Sequence, residues 1–386
     1  MTPQTLEALR PFYAMEILAQ AKALEQQGRE ICHLELGEPA AAPAPRVRDA
    51  VAAALGEPQR YTHAKGQVEL REALSGYYRA RHGAEIDPER LLVTMGSSAG
   101  FVVSFLAGFE PGATIALTRP GYPAYRNILV ALGFNVVEIA LSPANGWRLT
   151  AEQVMAAHRA QPFAGLLFAS PANPTGASVG REALGEIVAA CARLRVRLVS
   201  DEIYHGLTYA EPSVSAAEFT SDAIIVNSFS KYYCMTGWRV GWVVLPEALV
   251  RRAEILQQNL FISAPTLSQV AARAALQETG YSEEQRARYA ANRGLLADGL
   301  DRLGFGVGTG VDGAFYTYVD ASRFTNDSMR FCQALLETAG VAATPGVDFD
   351  RIDGHRYVRF SFAGSGESIA AAIERMAALD LGTVGR

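Results

Sequence analysis

The sequence predicts an α/β fold in which a mostly parallel, seven-stranded sheet is flanked by helices and joined to a smaller α+β domain. Short apolar, β-branched runs alternate with helix-length segments between residues 90 and 246. Several of these runs are apolar on both faces, which is typical of strands covered by helices on each side. The predicted strands span residues 91–95, 114–118, 135–141, 165–170, 197–203, 223–229 and 240–245.

The rest of the chain predicts the smaller domain. A chain of 386 residues is too long for one small core and favours two domains. A helical pattern covers residues 246–303, and the first 40 residues are expected to complete the smaller part. Strand-like runs and a closing helix follow at 305–307, 314–319, 357–362 and 368–379. We therefore expect a large domain at 41–280 and a small domain formed by 1–40 and 281–386.

Composition excludes several classes of function. The formal charge is −5 and no basic run occurs, which argues against binding to nucleic acid or an anionic membrane. No apolar stretch approaches the roughly 20 residues needed to span a bilayer. Charges among the first 20 residues predict an amphipathic helix, not a signal peptide. Four scattered cysteines predict reduced thiols in the cytoplasm, and the histidines lack metal-ligand spacing, so no metal site is expected.

One rare lysine lies where chemistry is expected. Only three of the 35 basic residues are lysines, and Lys231 directly follows a predicted strand. Ligands of parallel sheets bind beyond the carboxyl ends of the strands. Ser228, Ser230 and Arg239 flank the lysine and suit a phosphate dianion, with the arginine donating two parallel hydrogen bonds. Taken alone, Lys231 also fits a surface lysine in a loop.

Two further strand ends carry polar side chains. Asp201 lies late in an apolar strand, where a carboxylate costs free energy unless a cationic group pairs with it. Asn173 stands in a rigid Asn-Pro-Thr-Gly turn that can aim its amide at a ligand oxygen. The alternatives are a carboxylate that caps a loop and a turn without a ligand.

The remaining candidates are weaker alone. Ser98 and Ala99 belong to a glycine- and serine-rich turn before a helical segment, which suits an anion site or a simple helix cap. Tyr122 follows a predicted strand and can stack on an aromatic ring, whereas the position of Tyr61 does not follow from sequence order. Arg359 offers a fork for a carboxylate, although structural arginines are common in such strands.

Together these segments resemble the class I/II aminotransferases of pyridoxal 5′-phosphate (PLP) fold type I. The resemblance rests on NPTG at 173–176, DEIY at 201–204 and SFSKYYCMTGWRVGW at 228–242, and extends from about residue 36 to 362. It implies an enzyme that moves an amino group between a small L-amino acid and a 2-oxo acid by a ping-pong mechanism. It also implies a homodimer with the site at the interface.

The resemblance implies a role for each residue at the reacting end of the cofactor. Lys231 forms the aldimine and acts as general base, and Asp201 pairs with the pyridine nitrogen. Asn173 and Tyr204 donate hydrogen bonds to the phenolic oxygen of the cofactor. Tyr122 stacks on the ring. Lys231, Asp201 and Tyr204 are thus the expected catalytic residues.

The resemblance also implies how the phosphate and the substrate are held. Arg359, Asn173 and Gly37 surround the α-carboxylate of the substrate. Tyr61 reaches the phosphate from a neighbouring subunit. The other expected phosphate ligands are the backbone at Ser98 and Ala99 and the side chains of Ser228, Ser230 and Arg239.

The chain departs from the family pattern near the substrate. After Leu36-Gly37-Glu38-Pro39 the family usually continues with an acidic–aromatic pair, but this chain has Ala-Ala-Ala-Pro at 40–43. No second arginine for a distal carboxylate is identifiable, so a preference for aspartate is not supported. Two alternatives remain open: a C–S lyase of the same fold that catalyses β-elimination, and a non-catalytic ligand-sensing module.

Overall fold

The computed structural model describes residues 9–308 and 311–384. The amphipathic helix expected within the first 20 residues lies partly outside this range, and a helix begins at Tyr13. The strands, numbered in chain order, are β1 (Cys32–His33), β2 (Leu91–Thr94), β3 (Thr114–Arg119), β4 (Asn135–Ala140), β5 (Gly165–Ala169), β6 (Arg197–Asp201), β7 (Ile224–Ser228), β8 (Gly241–Val244), β9 (Gly306–Val307), β10 (Tyr316–Asp320), β11 (Val341–Ala342), β12 (Thr344–Pro345) and β13 (Tyr357–Ser361).

The helices surround these strands, and short 3-10 turns such as Ala216–Glu218 connect some of them. In chain order, the helices are α1 (Tyr13–Gln26), α2 (Pro45–Ala54), α3 (Val68–His82), α4 (Gly96–Gly108), α5 (Pro123–Ala131), α6 (Ala151–Ala160), α7 (Arg181–Leu194), α8 (Glu247–Leu260), α9 (Thr266–Leu276), α10 (Thr279–Leu303), α11 (Ser328–Ala339), α12 (Gly366–Ala377) and α13 (Leu381–Val384). No helix of the described ranges is long and apolar enough to cross a bilayer.

The large sheet confirms the predicted fold class. Its strand order is β2-β8-β7-β6-β5-β3-β4, with β8 antiparallel to both neighbours and the other pairs parallel. All seven predicted strands are present, and their ends differ from the prediction by at most two residues. Strand ends are the least certain part of a hydrophobic run, because apolar residues continue into the following turns.

Both faces of this sheet are buried, as the apolar runs predicted. Along β5, Leu166 and Phe168 pack on one face with α3, α6 and α7. Leu167 packs on the other face with α4, α5 and α8. Successive side chains of a strand point to opposite faces, so a strand that is apolar throughout needs helices on both sides.

The smaller sheet is built from both ends of the chain. β13 pairs antiparallel with β10 and β12, and β9 extends the far edge beside β10. Near the N-terminus, β1 pairs in parallel with β11. The two-residue strands β1, β11 and β12 were not predicted, because so short a segment has no hydrophobic period. The domain boundaries at residues 40 and 280 stay a prediction, and residue 280 lies at the start of α10.

Candidate active site

A cleft of about 650 Å³ lies beyond the carboxyl ends of the large sheet, where the sequence predicted a ligand. This volume is typical of small-molecule sites. Side chains of the smaller sheet and of α1 close it from the other side. The predicted residues that line it are Gly37, Ser98, Tyr122, Asn173, Asp201, Tyr204, Ser230, Lys231, Arg239 and Arg359.

Lys231 lies inside this cleft. Its Nζ donates a hydrogen bond of 2.6 Å to the carbonyl oxygen of Gly37. Burial, together with Arg359 and Arg239, lowers the pKa of the ammonium group to about 8, against the opposing effects of Glu38 and Asp201. A neutral amine is therefore accessible near neutral pH, and a neutral amine is what nucleophilic or general-base chemistry requires.

Asp201 ends β6 at the floor of the cleft and is 2% exposed. Its carboxylate accepts hydrogen bonds from the Tyr125 hydroxyl and, at 3.0 Å, from the Ile203 N–H. Burial raises its pKa to about 6, against these hydrogen bonds and Lys231. Within the described residues it forms no ion pair. A ligand cation beside Asp201 would stabilise the ionised form and lower this pKa.

The start of α4 forms a cradle for an anion. Ser97 and Ser98 line the cleft in the first turn of this helix, where free N–H groups attract negative charge. The Arg239 guanidinium packs over Gly96, where a Cβ atom would lie 2.5 Å from Nη2. Any larger residue at 96 would displace the arginine, and the positive φ of 74° at this position also favours glycine.

Three predicted phosphate ligands do not line the cleft of this chain. Ala99 is buried within α4, next to Ser98. The hydroxyl of Ser228 lies 2.8 Å from that of Ser230 and contacts the Val240 carbonyl oxygen at 3.1 Å. Ser228 thus supports Ser230. Tyr61 is 81% exposed, so a role in the site requires a second chain.

Arg359 joins the smaller sheet to the cleft. The guanidinium is 1% exposed and lies over the Tyr316 ring, with 4.3 Å from Cζ to the ring centroid. Nη1 donates to Asn173 Oδ1 at 2.9 Å, and Nη2 donates to Thr344 Oγ1 at 3.0 Å and to the Glu35 carbonyl oxygen. The buried Nε has no partner in the described residues. The Arg359 guanidinium, fixed by these contacts, is suited to bind a carboxylate.

Sequence reasoning missed two tyrosines of the site. Tyr125 donates to Asp201, and it follows the predicted Tyr122 by three residues, a helical spacing that could have indicated it. Tyr316 bonds the Tyr204 hydroxyl at 2.9 Å and fills the space that a side chain at Gly37 would need. No local signal indicates Tyr316, because its strand joins the site only in the tertiary structure.

Apolar side chains that were also missed form one wall of the cleft. Phe12, Met15 and Leu18 come from the start of α1, and Ile128 comes from α5. Met15 is 53% exposed although it lies on the helix face directed at the cleft. This wall offers an apolar surface to any ligand that extends past Tyr122.

Comparison with known proteins decides the family. The sequence matches the family described as "Aminotransferase class I and II" over residues 29–376. The chain belongs to this family. This aminotransferase is 45% identical over 371 residues to the valine–pyruvate aminotransferase of Mycobacterium tuberculosis, with 95% of each chain covered.

Solved structures agree with this assignment. The crystal structure of an aminotransferase from Mycobacterium tuberculosis superposes with a TM-score of 0.92 at 44% identity, covering 96% of each chain. The aspartate aminotransferase of Thermus thermophilus gives a TM-score of 0.92 at 32% identity, covering 98% of this chain and 99% of that one. The predicted enzyme class is confirmed: the chain is a transferase that moves amino groups between amino acids and 2-oxo acids.

The contact between Tyr125 and Asp201 generates a prediction about pH. Removing the hydroxyl in Tyr125→Phe takes a donor from the ionised form of Asp201, so the pKa of this carboxyl should rise. If activity requires ionised Asp201, the acid limb of the kcat/KM profile should move to higher pH. We expect kcat/KM at pH 6 to fall about tenfold, the effect of one hydrogen bond to a charged group. Tyr318→Phe is the control, because that buried hydroxyl has no partner in the described residues. An unmoved acid limb in Tyr125→Phe would contradict the role of this contact.

Proposed function

We propose that the aminotransferase binds PLP in the cleft and that Lys231 attaches it covalently. The donor set fits this cofactor at each end. The helix start with Ser97, Ser98 and Arg239 suits the phosphate dianion, and the buried Asp201 suits a protonated ring nitrogen. When bound, PLP supplies an electron-withdrawing ring that stabilises negative charge at the substrate Cα.

The side chains of the chain then have separate tasks. Arg359 binds the substrate carboxylate through its guanidinium, and Asn173, already bonded to Nη1, holds that guanidinium in place. The amine of Lys231, with its pKa lowered to about 8, would take the proton from the substrate Cα and, as general acid, deliver it to the cofactor carbon that bears the transferred nitrogen. Tyr204 directs its hydroxyl into the same space. Asp201 supplies the negative charge that holds a proton on the ring.

The observation that carries this proposal is the position of Lys231 within the same buried cleft as Asp201 and Arg239. A lysine that served only as a surface charge would not be placed where burial lowers its pKa.

Lys231→Ala tests the proposal directly. The variant should fold and still bind PLP through its phosphate, but borohydride reduction should no longer fix the cofactor to the protein. The amino-transfer rate should fall by at least about 10³-fold, because nucleophile and proton carrier are both lost. Lys22→Ala removes an exposed lysine on α1 and should leave both properties unchanged. Retained turnover in Lys231→Ala would reject the assignment. Steady release of ammonia by the native protein from an amino acid alone would instead indicate β-elimination.

We further propose that the enzyme works as a homodimer in the cytoplasm, with Tyr61 reaching the phosphate of the neighbouring subunit. Tyr61 is 81% exposed and therefore free to contact another chain. Exposed apolar side chains support such a contact. They are Val68, seven residues after Tyr61 in the sequence, Ile255 and Leu260 on α8, and Ile262 just after α8.

Sedimentation of the native protein should show two chains per particle. Tyr61→Phe removes one hydroxyl that would bond the phosphate, so the affinity for PLP should fall about tenfold while the dimer persists. A monomeric native protein, or a Tyr61→Phe variant with unchanged PLP affinity, would refute the shared site.

For the substrate, we propose an L-amino acid with a small apolar side chain, with pyruvate as an acceptor. The wall of Phe12, Met15, Leu18 and Ile128 supports this choice. The arginines that line the cleft within the described residues are Arg239 and Arg359, and both have other tasks. The name of the valine–pyruvate relative agrees with an apolar side chain.

Met15→Arg should change the preference toward acidic substrates. The added guanidinium would face the side-chain end of the cleft, and at a half-exposed position it costs little stability. We expect the ratio of kcat/KM for aspartate over valine to rise at least about tenfold in single half-reactions, as for one new ion pair. Met15→Leu should keep the native ratio. A ratio that is equal in both variants would contradict the proposed wall.

A further inference from the structure

A second buried carboxyl group lies directly behind the proposed active site. Glu202 follows Asp201 in the chain and is 1% exposed. Successive side chains of an extended segment point to opposite faces, and Glu202 accordingly does not line the cleft. The proposed chemistry gives this group no task.

Glu202 fastens the end of β6 to the following segment. Its Oε1 accepts the Ala216 N–H at 2.9 Å, and the Ser200 hydroxyl lies 3.2 Å from the same oxygen. The Ser215 hydroxyl lies 3.0 Å from Oε1 and 2.8 Å from Oε2. These contacts hold the backbone that carries Asp201 against the 3-10 turn Ala216–Glu218.

His205 completes the arrangement. Its Nδ1 lies 3.3 Å from Glu202 Oε2, and its ring is 4% exposed. Neither ring nitrogen forms a hydrogen bond within the described residues. With its hydrogen on Nε2, a neutral His205 presents Nδ1 as an acceptor to a protonated Glu202; with the hydrogen on Nδ1, the ring would face an ionised Glu202 as a donor.

The adjoining charges favour a protonated Glu202. Two ionised carboxylates on consecutive buried residues repel each other in a medium that screens little. Burial, together with the negative charge of Asp201, raises the pKa of Glu202 to about 8, against the hydrogen bonds from Ala216 and the serines. Burial also lowers the pKa of His205 well below its ordinary value, so the ring stays neutral.

We propose that Glu202 is a positioning residue that works as a neutral acid beside a neutral His205, so that the negative charge of the Asp201–Glu202 pair stays on Asp201 at the cleft. The consequence for catalysis rests on the proposed role of Asp201. The proton on Glu202 itself is a property of the chain without cofactor.

The other titratable groups around the pair do not supply a counter-charge. Tyr77 and Tyr78 of α3 face Glu202, and burial raises the pKa of both phenols. The His82 ring packs 5.3 Å from that of His205, and its Nδ1 lies 3.1 Å from Glu218. The nearby arginines form ion pairs with other acids: Arg81 and Arg286 with Glu283, and Arg181 with Glu218. The remaining acid, Glu211, lines a surface pocket next to His82 and His205.

Glu202→Gln tests the proposal, because an amide mimics the neutral acid. In the cofactor-free native protein at pH 7, difference infrared spectroscopy should detect the carbonyl stretch of a protonated carboxyl group. This band should vanish above about pH 8 and be absent at pH 7 in Glu202→Gln. Glu254→Gln, which removes a carboxylate paired with Arg251, should keep the band. Absence of the band from the native protein at pH 7 would overturn the proposal and needs no variant to fold.

Stability gives a second readout. The folded pKa of Glu202 is raised above its ordinary value, so the folded state holds a proton that the unfolded chain has released. The thermal midpoint of the native protein, relative to Glu202→Gln, should therefore fall as pH rises from about 4.5 to 8 and then level off. Parallel profiles of the two proteins would contradict the neutral acid.

Activity separates this inference from the proposed function. Reconstituted Glu202→Gln should keep kcat near neutral pH within about twofold, whereas Glu202→Ala should raise the KM for the amino acid and weaken PLP retention through loss of the Ser215 and Ala216 contacts. If Lys231→Ala behaves as proposed but Glu202→Gln loses kcat tenfold, the neutral-acid role fails and the function stands.

Discussion

Burial of opposite charges at one end of a sheet is the constraint on which this structure depends. Lys231 and Asp201 lie in the same cleft, and burial disfavours the charged form of each. Each group can carry charge only because partners hold it: the Gly37 carbonyl for the ammonium, and the Tyr125 hydroxyl for the carboxylate. The same burial lowers the pKa of Lys231 and raises that of Asp201, so both pKa values lie near neutral pH. For Lys231, this is the range in which proton transfer is most effective.

The parallel sheet makes this arrangement possible. Its central strands are covered on both faces, so their carboxyl ends are the places where polar side chains can meet a ligand. The alternation of side chains at the end of β6 and in the residue that follows it separates two carboxyl groups that are adjacent in sequence. Asp201 faces the cleft, and Glu202 faces the serines and His205. One strand thereby serves both the chemistry and the support behind it.

The substrate end depends on contacts between the two sheets. Arg359 is carried by β13 of the smaller sheet, but Asn173, which follows β5 of the large sheet, accepts one of its hydrogen bonds. Aromatic rings of Tyr316 and Phe349 lie 4.3 Å and 4.8 Å from the guanidinium carbon and exclude water from it. The apolar wall comes from α1 and α5, which are distant in sequence. Different parts of the fold thus contact the carboxylate end and the side-chain end of a substrate.

The sequence by itself determined the large sheet and the residues that follow its strands. A strand that is buried on both faces must be apolar throughout, and the residues after it must reach the carboxyl edge, so local pattern predicted the positions of Lys231, Asp201, Asn173 and Arg239. The family resemblance gave the candidate Arg359 its role toward the substrate carboxylate and added Gly37, and both line the cleft. Only the tertiary structure decided which side chains complete the site. Tyr316 and Met15 reach the cleft only through packing between elements that are far apart in sequence. The contact of Glu202 with His205 depends on which face of the sheet the Glu202 side chain takes. No local hydrophobic period encodes either property.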